Sequence, residues 1–234
     1  MCSAAGMRPG RSGTIKSERN VMASLRLEGI KKVLCVGAHS DDIEIGCGAT
    51  VLRLIQEQPG LQVYWLVFSA SGARVREAKR SAAEFLQDAR ARQVRVAHFK
   101  ESYFPSEWPA IKNTFEQVKR TFDPDLVLTH CRDDRHQDHR ILSDLAWNTF
   151  RNHPILEYEI PKYDGDLGAP NVFIPVTREL CERKIAALLR HFQSQAVRHW
   201  FTAETFWALL RLRGIECNAP GGFAEAFYGR KLRL

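Results

Sequence analysis

Two short stretches carry the residues best suited to chemistry. His39-Ser40-Asp41-Asp42-Ile43-Glu44 sets one imidazole beside two adjacent carboxylates, and His136-Gln137-Asp138-His139 sets two imidazoles around another. Imidazole and carboxylate are ordinary zinc ligands, and a catalytic zinc takes three protein ligands while leaving a position open for water. His39, Asp42 and His139 can supply those three. The His39-x-x-Asp42 spacing puts both side chains on one side of a turn, and His136-x-x-His139 does the same opposite. Asp41, beside a ligand but not needed as one, is then the candidate general base for a water acidified by the metal. His136 is left free to stabilise an oxyanion or to pass a proton to a departing amine, with Asp138 expected to hold that imidazole in its charged form.

Each stretch follows an apolar run, Val33 to Gly37 before the first and Leu126 to Thr129 before the second. Continuous apolar runs of this length suit strands buried on both faces of a parallel sheet, and ligands bind at the carboxyl ends of such strands. Strands are expected at 32–37, 62–69, 94–99 and 125–129. Helices are expected at 44–58, 74–88, 109–122 and 138–150, punctuated by Gln58-Pro59-Gly60 and Asp123-Pro124-Asp125. This alternation implies right-handed βαβ units. Beyond Phe150 the pattern loosens into strands at 155–160 and 172–176, a helix from Arg178 to His191 capped by Thr177, a helix at 203–213 and a final turn and strand near 221–227. The expected fold is therefore α/β: a Rossmann-like, mainly parallel sheet flanked by helices, with a smaller C-terminal α+β extension. Residues 1–25 read as a disordered leader, with Met22 an alternative start. Residues 26–234 read as a single domain, with its core at 32–150 and the extension at 151–234.

The net charge of +7 is concentrated at the ends of the 234-residue chain. Residues 1–32 carry a net +5 and residues 229–234 a net +3, leaving the body near −1. Basic tails can attract anionic surfaces, but no interleaved aromatic and basic pattern points to nucleic acid. The chain shows neither a signal-peptide core nor an apolar run long enough for a transmembrane helix. Six scattered cysteines without a CxxC pair suit a reduced, cytoplasmic setting.

The two motifs together resemble those of the zinc-dependent N-acetylglucosaminyl deacetylases, the LmbE-like or PIG-L family. The family's AHPDD-x-E motif matches Ala38 to Glu44, with Ser40 in place of the proline. The stretch Arg74-x-x-Glu77-Ala78 with Ala82 and Leu86, and the run Lys184 to Gln195, also resemble family segments. The resemblance spans about Lys32 to Gln195. It implies a hydrolase that removes the acetyl group from an N-acetylated amino sugar conjugate, with zinc, or alternatively iron(II), on His39, Asp42 and His139. Asp41 would be the general base, and His136, supported by Asp138, the oxyanion donor. Some members place a tyrosine two residues before that histidine; this chain has Asp134 there. Arg74 is read either as a substrate contact or as a solvated helix residue. Glu44 is read as a residue that orients the loop or as a helix N-terminal carboxylate. His130 is read either as a residue lining the site or as a strand-end histidine with structural partners. The expected partner is a small N-acetylated sugar conjugate, with homo-oligomerisation left open. Rival readings are another metal-dependent amidase or phosphoesterase on the same ligands, and a non-catalytic α/β binding module. The last has little support: Gly46-x-Gly48 is not a GxGxxG motif, and Asp41-Asp42 would repel a pyrophosphate.

Overall fold

Alternate residues of a strand face opposite sides of its sheet, so a strand apolar throughout needs cover on both. The computed structural model, which describes Leu27 and residues 29–232, shows that arrangement. Strand β1 (Lys32–Gly37) sends Val33 and Cys35 into one core and Leu34 and Val36 into the other. It pairs in parallel with β2 (Gln62–Val67) on one side and β4 (Leu126–His130) on the other. The rest of the seven-stranded sheet is built from β3 (Ala91–Val96), β5 (Ile155–Tyr158), β6 (Val172–Pro175) and β7 (Ala224–Gly229), in the order β3-β2-β1-β4-β5-β7-β6. The first five strands are parallel, and β7 runs antiparallel to both its neighbours. Helices α1 (Asp42–Glu57), α2 (Ala73–Phe85), α5 (Arg178–His191) and α6 (Ala203–Glu216) cover one face. Helices α3 (Trp108–Thr121) and α4 (Gln137–Thr149) cover the other, through Ile111, Phe115, Leu142 and Leu145. No helix among the described residues is long and apolar enough to cross a membrane. The expected leader, residues 1–25, lies outside the described residues.

Two expectations change. The third strand spans Ala91–Val96 rather than 94–99. It is an edge strand, so Arg92, Gln93 and Arg95 pair with β2 while their side chains meet solvent; apolar patterning cannot mark such a strand. Arg230 of the C-terminal basic cluster does not belong to a free tail. Arg230 Nε donates to the fully buried Glu157 at 2.9 Å, and its Nη2 lies 2.9 Å from Asp133.

Helix α1 is broken at Cys47, whose φ of −143° is not helical. A buried ion pair fills the break. Lys184 Nζ on α5 donates to the Ile45 carbonyl and to Glu225 Oε1, both at 2.6 Å. Glu225 on β7 accepts from the amides of Ala49 (3.0 Å) and Thr50 (2.7 Å). Carbonyls that end one helical segment and amides that start the next have no intrahelical partners; Lys184 and Glu225 supply them. Gly46 lets the Tyr158 ring lie against the helix: a Cβ there would come within 2.1 Å of it. Gly48 makes similar room for Phe85. The Gly46-x-Gly48 pair thus serves packing and not phosphate binding.

Candidate metal and hydrolytic centre

The strand order places the two motifs together. The chain leaves β1 toward β2 on one side, while β4 lies on the other, so a crevice opens at this topological switch point beyond the strand ends. His39 lies two residues past β1 and Asp42 begins α1; His136 caps α4 after β4. His39, Asp41, Asp42, Asp138 and His139 are all buried.

Three ligand atoms converge. His39 Nδ1 lies 3.2 Å from His139 Nε2 and 3.4 Å from Asp42 Oδ2, and His139 Nε2 lies 3.5 Å from that oxygen. Three corners of a tetrahedron about 2 Å from its centre stand roughly 3.3 Å apart, so this triangle has the size of one face of a zinc-like site. The remaining ring nitrogens are spoken for. His39 Nε2 lies 3.2 Å from Asp138 Oδ2, and His139 Nδ1 lies 2.9 Å from Asp134 Oδ2. A carboxylate at one ring nitrogen holds the proton there and turns the other nitrogen's lone pair outward, the usual support for a metal-binding histidine. Acceptor lone pairs massed in a buried space suit a cation. Asp42 is held well below the ordinary carboxylate range: burial opposes ionisation, but His139, His130 and His39 outweigh it. Burial works against the charged form of His39 too, yet Asp42 and the Asp138 hydrogen bond push its pKa up to about 10 in the ion-free site; a proton then occupies Nδ1, and an ion taking that lone pair would displace it. Burial and the neighbouring His130 pull His139 below the ordinary imidazole range.

Asp41 is the N-cap residue of α1, yet its carboxylate makes no capping hydrogen bond, so helix capping does not account for it. Burial and the adjacent Asp42 raise its pKa to about 6, against the opposing pull of Arg74 and His39. Arg74 is no solvated helix residue. Its Nε donates to Ser40 Oγ at 3.0 Å, Nη1 to Glu101 at 2.8 Å and Nη2 to Asp41 Oδ1 at 3.5 Å.

His136 differs from its expected setting. Its Nδ1 accepts the Asp138 backbone N–H at 3.2 Å, which leaves the proton on Nε2 as a donor. Burial and the charge on His39 lower its pKa. The Asp138 carboxylate, expected to support a charged His136, turns to His39 instead. It is held there by the amides of Ser102 (2.6 Å) and Phe104 (3.2 Å) on the loop before α3.

Two residues beside the ligands support them. His130 ends β4 and stacks on His139 with ring centres 3.9 Å apart. Its Nε2 accepts the Ala38 N–H at 2.9 Å and so cannot also donate to Asp42 Oδ2, 3.3 Å away; the shorter, directed bond sets the acceptor role. His130 therefore braces the ligands more than it extends them. Asp134, noted only as a missing tyrosine, carries His139. No local spacing marks either role, because each partner comes from another element. Glu44 is buried, and neither of its oxygens has a hydrogen-bond partner among the described residues. Burial holds its carboxyl well above the ordinary range.

The sequence profile of the GlcNAc-PI de-N-acetylase family matches residues 34–150, the segment carrying both motifs. The chain belongs to this deacetylase family. An Escherichia coli K12 relative, the uncharacterized deacetylase YaiS, is 30% identical over 173 residues, covering 69% of this chain and 90% of YaiS. Among solved structures, the N,N'-diacetylchitobiose deacetylase of Pyrococcus horikoshii superposes with a TM-score of 0.63 at 19% identity, over 85% of this chain and 83% of that one. The 4-carboxy-2-hydroxymuconate hydratase GalB of Pseudomonas putida KT2440 superposes with a TM-score of 0.67 at 18% identity, over 88% and 98%. At these identities the structural likeness is one of fold, and a fold that serves both a deacetylase and a hydratase leaves the chemistry to the site. As a member of a deacetylase family, the chain is a hydrolytic N-deacetylase.

Proposed function

We propose that this deacetylase removes the acetyl group from an N-acetylated amino sugar conjugate, using one divalent ion held by His39 Nδ1, Asp42 Oδ2 and His139 Nε2. The observation that carries the reading is the buried triangle of those atoms, with sides of 3.2, 3.4 and 3.5 Å, at the β1–β4 crevice. The sugar assignment rests on the family description and on the diacetylchitobiose deacetylase that shares the fold. Zinc suits the nitrogen and oxygen donor set, and iron(II) uses similar ligands. A divalent ion would supply Lewis acidity, acidifying water and polarising the amide carbonyl.

The chain's own residues perform the remaining steps. Asp41 accepts the proton of the attacking water; its buried carboxylate stands next to the ligand Asp42 and is not used in helix capping,. His136, its ring centre 4.9 Å from that of His39 and 4.6 Å from that of His139, has Nε2–H free to stabilise negative charge developing on the carbonyl oxygen,. The proton taken by Asp41 returns to the departing amine, leaving acetate and a free amino sugar. Arg74, fixed by Ser40 and Glu101, offers a guanidinium edge to the sugar.

The test separates ligand from base. Asp41→Asn should keep its full metal content while kcat falls by roughly 10²–10⁴-fold, the range for loss of acid–base catalysis. His139→Ala should lose the ion. Metal analysis of the purified variants, with acetate release from a panel of N-acetylglucosamine conjugates, reads both. Full metal in His139→Ala, or unchanged turnover in Asp41→Asn, would remove that residue from its role.

A further inference from the structure

The carboxylates behind the two histidine ligands are each fastened to a loop at the mouth of the crevice. Asp138, behind His39, is held by the amides of Ser102 and Phe104. Asp134, behind His139, is held differently. Its Oδ1 accepts the His136 N–H at 2.8 Å, and its Oδ2, 2.9 Å from His139 Nδ1, also lies 3.0 Å from Lys162 Nζ. The same ammonium lies 2.5 Å from Asp166, which accepts the Arg135 N–H at 2.7 Å. All three side chains are nearly buried, with 10% of Lys162, 3% of Asp134 and 8% of Asp166 exposed.

This line of residues joins the loop between β5 and β6 to the candidate metal centre. The loop is tied down elsewhere as well. Arg213 on α6 pairs with the buried Glu159 through two bonds, of 2.9 and 2.8 Å, and also donates to the Gly168 carbonyl at 3.0 Å. Its outer residues Tyr163 and Leu167 remain exposed.

We propose that Lys162 is a positioning residue of the metal centre: by clamping Asp134 against Asp166 it fixes the orientation of His139 and so sets the affinity for the ion. The inference rests on the ligand assignment above. A buried ammonium between two carboxylates keeps both facing inward. Without it the two acids repel, and Asp134 Oδ2 is free to swing away from His139 Nδ1. Loss of a partner behind a metal-binding histidine typically weakens metal affinity on the order of 10- to 100-fold. Lys162 acts one step further out, so the expected effect is near the lower figure.

The experiment is a Zn2+ titration of the metal-free full chain against a chromophoric chelator, for wild type, Lys162→Met, Lys162→Arg and Asp166→Asn. Lys162→Met should raise the Zn2+ dissociation constant about tenfold, and Lys162→Arg, which keeps the charge, should recover most of the loss. The cobalt(II) absorption spectrum of Lys162→Met should shift as His139 loses its alignment. A purely structural lysine would lower the melting temperature of the metal-free protein while leaving the dissociation constant and the spectrum in place; that result overturns the proposal. Should Lys162→Met prove insoluble, Asp166→Asn carries the test: a clear rise in the dissociation constant supports the clamp, and an unchanged value overturns it. Wild type that binds no Zn2+ at all overturns the ligand assignment and this inference together. Wild type and variants that bind Zn2+ equally overturn only this one.

Discussion

At the scale of single residues, Ser40 departs from the family motif and the structure shows what that change permits. A proline there would offer no side-chain oxygen, whereas the Ser40 hydroxyl accepts from Arg74 Nε at 3.0 Å and helps hold the guanidinium beside Asp41. A hydrogen bond to a charged group is worth about 1.5–3 kcal/mol, and part of it should reach the substrate through Arg74. Ser40→Ala is therefore expected to raise KM about threefold or more with kcat little changed, the pattern of lost ground-state binding. Steady-state kinetics on a cleaved conjugate checks it; a fall in kcat at constant KM would instead tie Arg74 to Asp41. The motifs themselves were legible in the sequence, because His39 and Asp42, and His136 and His139, lie three residues apart and announce a shared turn. The supports were not. Asp134, His130 and Lys162 acquire their roles from partners in other elements, and Asp138 carries a different histidine from the one its spacing suggested.

At the scale of elements, the break in α1 shows how distant residues shape the turn that holds Asp41 and Asp42. The helix period was readable, but the interruption at Cys47 depends on Lys184 from α5 and Glu225 from β7, which no local pattern could reveal. Lys184 ends the first segment of α1. Removing one member of a buried pair strands the other charge and costs about 3–5 kcal/mol. Lys184→Met should lose about that much stability by urea denaturation, with Glu225 left on the Ala49 and Thr50 amides alone. A loss below about 1 kcal/mol would mean the pair behaves like an exposed one and does not brace the break. The β3 edge was misplaced for a related reason. Its identity lies in backbone pairing with β2, and its side chains carry no apolar signal.

At the scale of the whole molecule, the net charge of +7 and its crowding toward the chain ends suggested basic tails, and the C-terminal one is used internally. Arg230 reaches back along β7 to Glu157, which is fully buried on β5 and also accepts from Trp147 Nε1 at 2.6 Å and from the Arg132 amide at 3.0 Å. Three donors around one buried carboxylate thus join α4, the loop after β4 and the antiparallel end of the sheet. An electrostatic contact here adds to the apolar core and the β5–β7 pairing that join the C-terminal extension to the parallel half, and hydropathy gives no sign of it. Arg230→Ala removes a charged partner from a buried carboxylate that keeps two neutral donors; because Arg230 itself is exposed, a loss of about 1.5–2 kcal/mol is expected, below the range for a pair buried on both sides. Arg230→Lys keeps the charge but replaces a planar guanidinium with a point charge, so it should fall between the two. Guanidinium chloride unfolding of the three proteins reads the order, and heparin retention reads the alternative. If Arg230→Ala leaves the unfolding midpoint in place and weakens heparin binding, the residue is an anion-binding tail after all, and the β5–β7 pairing, the Lys184–Glu225 bonds and the apolar core hold the sheet's two halves without it.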